Sequence, residues 1–171
     1  MMDMRGSPSS AGSVSHVAQC DRPSGASPIT EVRLVARYER RQPGFTFRAS
    51  SLPGHLLHLV LDGEVEQFCN GRRYRLKRGD LLWYHDDEVV EGRVRRSPWI
   101  FAAVLLHAPS LPPPPDDHRL LRAAPANVHQ AFKTLLTAWV LPPGPARTFA
   151  LHSGANALLA AVPADALEPH Q

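Results

Sequence analysis

The sequence has few of the features on which common enzyme classes depend. It has 2 cysteines among 171 residues, Cys20 and Cys69, and no spacing that suggests a disulfide framework or a metal site. It contains neither the Gly-x-Ser-x-Gly segment of a serine hydrolase nor a glycine-rich phosphate loop. No apolar run is long enough to span a bilayer, and the first residues lack the apolar core of a secretion signal. We therefore expect a reduced, cytoplasmic protein without a membrane partner.

The chain also has little net charge, +3 with its 9 histidines neutral. Many of its basic residues cluster in 72–78 and 93–96. Within the first cluster Arg73, Arg75 and Lys77 alternate with apolar side chains, which is the pattern of a strand with one solvated and one buried face. We therefore interpret this cluster as a strand surface rather than as a nucleic-acid site.

Composition divides the chain into four parts. Residues 1–28 are rich in Ser, Gly, Pro and Ala, so they have little to bury and are predicted to be disordered. Residues 29–109 carry the pattern of short strands, residues 110–165 combine a proline-rich linker with two helical patterns, and residues 166–171 form a polar tail.

The strand pattern of 29–109 predicts a small antiparallel barrel with a ligand cavity, built from about eight strands. The turns are predicted at Asp62-Gly63, at Asn70-Gly71 and at Arg78-Gly79-Asp80. The predicted strands are 29–38, 45–47, 56–61, 65–68, 74–77, 81–84, 89–94 and 99–106.

The proline run 112–115 ends the strand pattern, and helical periodicity follows. Two apolar stripes recur at helical spacing: Val128, Phe132, Leu135, Leu136 and Trp139, and then Leu151, Ala155, Leu158, Leu159 and Val162. The short Pro/Gly link at 142–145 predicts that these helices form an antiparallel hairpin, and Gly154 permits a close helix contact. The fold class is therefore mainly β with a C-terminal α-helical hairpin.

The histidines are the first candidates for metal ligands. His55 and His58 are three positions apart, so on a strand they point to opposite faces and cannot share one ion. His85 alone does not make a site, because a tight divalent site needs three or four ligands. No metal, cofactor or catalytic residue is predicted. The acidic run 86–88 is interpreted as a solvated turn.

A binding cavity is the function that remains. Arg48 is either a surface charge or points into the barrel mouth, where it would grip a hydroxyl or a carboxylate. Glu91 would face it from another strand. Trp83, Trp99 and Phe101 are either plain core or the flat walls of a site for a sugar or an aromatic ligand. As a set these residues are the candidate ligand-binding site.

Two segments, GHLLHLVLDG at 54–63 and NGRRYRLKRGDLLWY at 70–84, carry a family resemblance. With the proline run and the two helices that follow, the region from Arg48 to Leu106 resembles the N-terminal sensor domain of AraC-type transcription regulators. That domain is a cupin-like double-stranded β-helix, or jelly-roll barrel.

The resemblance implies a small-molecule effector, often a sugar, held inside the barrel, with Arg48 at the position of a ligand-contacting arginine. It also implies a homodimer formed by the helices, with contacts at Phe132, Leu135, Leu136, Trp139, Leu151, Leu158 and Leu159. DNA would be bound only by helix-turn-helix modules that this sequence does not contain. The hypothesis is a sensing and dimerisation domain of a transcription regulator, as a fragment or a stand-alone chain. The alternative is a small stand-alone cupin enzyme, metal-dependent in its simplest form, or a metabolite-binding protein.

Overall fold

The computed structural model describes residues 26–164 and residue 167. The predicted disordered segment 1–28 and the tail 166–171 lie outside the described residues, except for 26–28 and 167, and Cys20 is also outside them. In the described part, residues 26–30 precede the first strand and have no regular secondary structure.

Seven strands and two helices form in the described residues. In chain order they are β1 (Glu31–Arg40), β2 (Thr46–Ser50), β3 (His55–Cys69), β4 (Arg72–Lys77), β5 (Leu81–His85), β6 (Val89–His107), β7 (Leu120–Leu121), α1 (Ala126–Trp139) and α2 (Pro145–Ala161). All strand pairs are antiparallel. The predicted fold class, mainly β with a C-terminal helical hairpin, is confirmed.

Two long strands, β3 and β6, run the length of the barrel and pair with each other. The first half of β3 pairs with β5 and the second half with β4, while β6 pairs with β2 early and with β1 late. The strands therefore make two halves, β1-β6-β3-β5-β7 and β2-β6-β3-β4, which share the bent central strands. Each long strand corresponds to two of the predicted strands, and β7 was not predicted.

A bulge in β3 explains how one strand serves both halves. The register shifts around Asp62 and Gly63, so inward-facing positions change parity across it. Leu56 and Val60 face the barrel interior before the bulge, and Val65 and Cys69 face it afterwards. The Asp62-Gly63 pair that predicted a hairpin turn is therefore a bend within a continuous strand.

The sheet separates two hydrophobic cores. One fills the barrel interior and includes Tyr84, Trp99 and Phe101. The other lies between the outer face of the β1-β6-β3-β5 half and the helices, where Leu57 and Val104 share a cluster with apolar residues of both helices. The helical hairpin is therefore held on the barrel by a common core.

The two helices approach each other closely, as the small residue at 154 predicted. A Cβ built on Gly154 would lie 2.9 Å from Leu135 Cγ, so any larger residue would push the helices apart. Pro145 stands in the first turn of α2, where its missing N–H leaves no hydrogen bond unmade.

Candidate ligand-binding site

A cavity of about 220 Å³ opens into the barrel interior. Drug-sized ligands occupy pockets of about 300–1,000 Å³, so this space suits a smaller molecule. Its lining comes from β2, β3, β5, β6 and the end of β1: Arg40, Phe45, Phe47, Ala49, Ser50, Ser51, Leu56, His58, Gln67, Tyr84, Val90, Trp99 and Phe101.

Aromatic rings form a continuous wall on one side of this cavity. The ring centroids of Phe47 and Trp99 are 5.4 Å apart, those of Trp99 and Phe101 are 4.3 Å apart, and those of Phe101 and Tyr38 are 5.1 Å apart. Each pair is stacked with a small angle between the planes. Trp99 and Phe101 are two residues apart on β6 and so share its inner face, while Tyr38 lies opposite Phe101 on β1. Phe47, Trp99 and Phe101 line the cavity, and Tyr38 stacks on Phe101 without lining it. We call these four rings the aromatic wall.

Two nitrogen atoms at the cavity are buried without a hydrogen-bond partner in the described structure, Nδ1 of His58 and Nε1 of Trp99. An unpaired polar group in an apolar interior costs about 1–3 kcal/mol. Buried polar atoms in native proteins are nearly always paired, so such groups call for an explanation. A bound molecule with its own donor and acceptor would supply the missing partners.

Burial sets the charge of the polar groups in the cavity. It lowers the pKa of His58 to about 4, so this imidazole is neutral near pH 7 and offers one donor and one acceptor nitrogen. Burial likewise raises the pKa of Tyr84 well above its usual value, and the phenol donates a hydrogen bond to Oε1 of Gln67. The interior of the cavity therefore carries no charge.

The cation nearest the cavity is Arg40, at its mouth. The guanidinium carbon lies 5.8 Å from the ring centroids of both Tyr38 and Phe45. Its Nη1 donates a hydrogen bond of 3.2 Å to the carbonyl oxygen of Glu39. Among the described residues Arg40 makes no ion pair, and no Asp or Glu lines the cavity. The mouth therefore carries a cation that, among the described residues, is not held in an ion pair.

The sequence model of the family described as "AraC-like ligand binding domain" matches residues 34–152, well over half of the chain. The chain belongs to this family. The match includes the barrel strands, the proline-rich segment and most of the helical hairpin, so it confirms the resemblance noted from the sequence.

Solved structures similar to this AraC-like domain include cupin proteins. A cupin superfamily protein from Desulfitobacterium hafniense is 15% identical with a TM-score of 0.39, over 43% of this chain and 65% of that chain. A predicted oxalate decarboxylase from Thermotoga maritima is 23% identical with a TM-score of 0.40, over 44% of this chain and 67% of that chain. The cupin domain of an XRE family transcriptional regulator from Enterobacter cloacae is 21% identical with a TM-score of 0.36, over 44% and 80%. A comparison with curated proteins gave no match.

Of the predicted ligand-binding residues, the structure places Trp99 and Phe101 in the aromatic wall. Arg48 and Glu91 do meet, with Nη1 3.4 Å from Oε1, but on the outer surface, where their side chains are 73% and 55% exposed. The reason is strand alternation: Phe47 points inward on β2, so Arg48 must point outward. The expectation that Arg48 points into the barrel mouth is corrected accordingly.

Trp83 also lies away from the cavity. On β5 its neighbours Leu82 and Tyr84 face the barrel interior, so Trp83 faces the helices, where it is buried in the second core. Its Nε1 donates a hydrogen bond of 3.1 Å to Nδ1 of His55. Trp83 is therefore on the opposite side of the sheet from Trp99 and Phe101, and of these three predicted wall residues Trp99 and Phe101 line the cavity.

Most of the polar groups of the site are not among the residues predicted from the sequence. His58 cannot share a metal ion with His55, but the same alternation places it in the barrel interior. Arg40 lies two positions after Tyr38, and Gln67 follows the β3 bulge that the sequence did not reveal. Alternation along β1 and β2 could have predicted which of their side chains face the cavity. The change of inward-facing parity in β3 could not be predicted, because the sequence does not reveal the bulge.

The helix residues predicted to contact a partner are mostly occupied within the chain. Phe132, Leu135, Leu151, Leu158 and Leu159 are buried between the helices and the sheet of the same chain, so they offer little free surface to a second molecule. Leu136 and Trp139 are partly buried against the same core. The guanidinium carbon of Arg147 also lies 4.6 Å from the Trp139 ring centroid. The predicted contact surface is corrected on this ground.

A larger depression of about 790 Å³ lies outside the barrel, against the proline-rich segment. Its most buried polar side chain, His55, already has hydrogen-bond partners at both ring nitrogens. His55 accepts the Trp83 indole hydrogen bond at Nδ1, so its Nε2 donates to the carbonyl oxygen of Leu111 at 3.2 Å. Burial, with His85 nearby, lowers the pKa of His55 to about 4. This depression therefore lacks the unpartnered interior atoms that mark the aromatic cavity.

The acidic run 86–88 is not wholly solvated. Glu88 accepts hydrogen bonds from the buried Arg119, at 2.8 and 3.0 Å, and from Asn70 at 2.9 Å. Burial acts to raise the pKa of Glu88, but Arg119, the backbone N–H of His85 and Asn70 together lower it below its usual value. Cys69 lies beside this pair, and burial together with Glu88 raises the pKa of its thiol to about 11, which makes it a poor nucleophile.

Within 26–164 and 167, no group of three or more His, Cys, Asp or Glu side chains is arranged to hold a metal ion. In the same part of the chain, no helix is both long and apolar enough to cross a membrane.

Proposed function

We propose that this AraC-like domain is the small-molecule sensor of a cytoplasmic transcription regulator, and that its effector binds in the aromatic cavity without being chemically changed. The observation that carries the proposal is the pair of buried, unpartnered nitrogens of His58 and Trp99 beside an open cavity. A core built for stability alone would pair or exclude such atoms. DNA contact would belong to modules that are not in this sequence.

β6 offers a physical route from the ligand to the helices. Trp99 and Phe101 face the cavity, while Ala102 and Val104 on the same strand pack in the core beneath the helices. An effector that binds one position of β6 better than another would shift that equilibrium by its difference in affinity. The position of the hairpin would then report whether the cavity is filled.

We also propose that a second copy of the chain packs on the exposed side of α2, where an exposed phenylalanine and several alanines lie beside the uncharged Thr148, Ser153 and Asn156. Arg147 is the only charged residue of this helix, and Phe149 is 74% exposed. Ala146, Ala157 and Ala160 are also exposed. We call these three alanines and Phe149 the α2 surface. The exposed side of α1, by contrast, is polar, with Gln130, Lys133 and Thr137. Solvent-facing helices normally resemble α1, and apolar ones are usually covered.

A thermal-shift screen with a blocked variant tests the sensor proposal. Ala49 lines the cavity mouth and is exposed, so Ala49→Trp should plug the mouth without disturbing the core. Thr46→Trp adds the same side chain to the outward face of β2 and is the matched control. A ligand at a hundred times its Kd stabilises by about 2.7 kcal/mol, which corresponds to about 5–10 °C in Tm.

We expect hits to raise the Tm of the wild type and of Thr46→Trp, and to leave Ala49→Trp unchanged. Hits that stabilise Ala49→Trp as much as the wild type would place the ligand elsewhere and contradict the proposal. A library that yields no hit on the wild type would also contradict it.

A further inference from the structure

The rings, hydrogen-bonding groups and charge around the cavity beside the aromatic wall indicate which class of molecule it accepts. We infer that the effector is a small aromatic monocarboxylate, with its ring against Trp99 and Phe101 and its carboxylate at Arg40. This inference rests on the proposed function, because it concerns the same cavity. It replaces the sugar that the family resemblance suggested.

The supply of hydrogen-bonding groups argues against a sugar. Ser51 Oγ already accepts a hydrogen bond of 3.0 Å from the Glu88 N–H, and Gln67 already accepts one from Tyr84. The unpartnered buried nitrogens at the cavity are those of His58 and Trp99. A sugar carries a hydroxyl on nearly every carbon, and each hydroxyl left unpaired in an apolar site costs about 1–3 kcal/mol.

The shape of the wall favours a flat ring. The planes of Trp99 and Phe101 differ by 21°, and those of Phe47 and Trp99 differ by 13°, so the three rings are stacked face to face in a nearly parallel series. Aromatic rings prefer offset stacking at centroid distances of about 4.5–7 Å, beyond the gain from apolar burial. Because the stacked rings cover one another's faces, a ligand in the cavity meets mainly their edges. A planar aromatic ligand can place its face against these edges in the edge-to-face arrangement that aromatic pairs also prefer, whereas a puckered ring has no flat face to offer.

The charge at the mouth favours an anion. Arg40 is partly buried, sits over the Tyr38 and Phe45 rings, and forms no ion pair among the described residues. A guanidinium in that position can hold a carboxylate through two parallel N–H···O bonds. Deeper in, the neutral imidazole of His58 and the indole N–H of Trp99 can bind a ring hydroxyl, which both donates and accepts.

Calorimetric titration of the full chain at pH 7 with matched probes tests the inference. The probes are benzoate, 4-hydroxybenzoate, the amides of both, cyclohexanecarboxylate and L-arabinose. We expect the two aromatic carboxylates to bind, and the amides, cyclohexanecarboxylate and arabinose to bind at least tenfold more weakly. Arg40→Gln should weaken the aromatic carboxylates by about tenfold to a hundredfold and the amides little, because a hydrogen bond to a charged group is worth that much. Arg48→Gln removes an arginine from the outer surface and should change nothing.

Different results would overturn the proposed ligand class and the proposed sensor site. Amides or cyclohexanecarboxylate that bind as well as benzoate, tight binding of arabinose, or an Arg40→Gln variant that binds aromatic carboxylates normally would each overturn the ligand class. No binding of either aromatic carboxylate at millimolar concentration would overturn it as well. In all of these cases the cavity remains the sensor site if Ala49→Trp still abolishes the response to the screened hits.

Discussion

Gly63 lies directly against the backbone of Pro98, so that a Cβ built on Gly63 would stand only 2.3 Å from the Pro98 carbonyl oxygen. The φ of Gly63 is +81°, in the left-handed region that side chains disfavour. Gly63 is at the bend of β3 and Pro98 is within β6. The two halves of the barrel are therefore joined where these long strands touch, and the inward positions on both sides depend on that contact.

Replacing Gly63 by alanine should destabilise the domain strongly. The added methyl group meets backbone atoms that cannot rotate away, and the left-handed conformation adds its own cost, so we expect a loss of about 3 kcal/mol or more. Gly71→Ala is the control, since Gly71 has a φ of +72° but open space around it, and should cost about 1 kcal/mol. Urea titrations measure both, and equal losses would contradict the account of the bend.

The buried pair of Arg119 and Glu88 should matter more than exposed pairs. Their side chains are 4% and 14% exposed and their atoms are 2.8 Å apart, whereas Arg72 and Asp117 form a surface pair. We expect Arg119→Met to cost about 3 kcal/mol in urea unfolding, because it leaves Glu88 buried without its partner. Arg72→Met should cost less than about 1 kcal/mol.

The double variant Arg119→Met with Glu88→Gln separates this explanation from simple loss of packing. It should be more stable than Arg119→Met alone, because no unpaired charge remains at position 88. Asp116, which also pairs with Arg119 at 2.9 Å, loses its partner in both variants and is 42% exposed, so it does not separate them. If the second substitution adds a further loss instead, the unpaired-charge explanation does not hold.

The neutral His58 should make stability depend on pH. Its pKa is about 4 in the folded domain and near 6.5 when unfolded, so between these values the unfolded chain binds more protons. The contribution of His58 is therefore fully present above pH 6.5 and is lost as the pH falls toward 4. Each pKa unit corresponds to about 1.4 kcal/mol, so His58 can lower the free energy of unfolding by up to about 3 kcal/mol over this pH range.

Urea titrations at pH 7.5 and pH 4.5 measure this dependence. His58→Gln should reduce the fall in unfolding free energy between pH 7.5 and pH 4.5. Part of that fall should remain, because the pKa of His55 is also lowered to about 4. His129→Gln alters a partly exposed residue of α1 and should leave the acid loss as it is in the wild type. An acid loss that is the same in His58→Gln as in the wild type would show that this imidazole is not buried in the neutral form.

The proposed partner surface predicts that Phe149→Glu separates the two copies without unfolding either. Phe149 is 74% exposed, so its replacement touches no core. Leu159→Glu should instead unfold the domain, since that side chain is 5% exposed and packs beneath the helices. Sedimentation velocity with circular dichroism measures both properties, and Thr137→Glu on the polar side of α1 is the control. A folded Phe149→Glu that remains dimeric would exclude the α2 surface.

The periodicity of the sequence was sufficient for the element types but not for their connections. Alternation in 29–38 and 74–77 predicted strands, and the stripe that begins at Val128 predicted a helix, because each depends on which positions contact a core. Asp62-Gly63 and Asn70-Gly71 are both turn signals by composition, yet only the second joins two strands. The difference is the Pro98 backbone against Gly63, a contact that no local pattern contains.

The site was predicted only in part for the same reason. Trp99 and Phe101 could be assigned to one face of a strand, but the sheet has a core on each side, and buried aromatics occur in both. Trp83 was therefore a plausible wall residue until its side of β5 was known. Arg48 could have been excluded from the sequence alone, because it follows the inward-facing Phe47.

The indole N–H signals of the 3 tryptophans offer the most direct test of the central claim, that the barrel interior is the effector site. In an ¹H–¹⁵N spectrum recorded during titration with a screened hit or with 4-hydroxybenzoate, the Trp99 indole signal should shift most, because its nitrogen is unpartnered beside the cavity. Trp83 lies on the opposite face of the sheet and Trp139 lies on α1, so their signals should move little. A titration that shifts Trp83 or Trp139 and leaves Trp99 in place would contradict the claim.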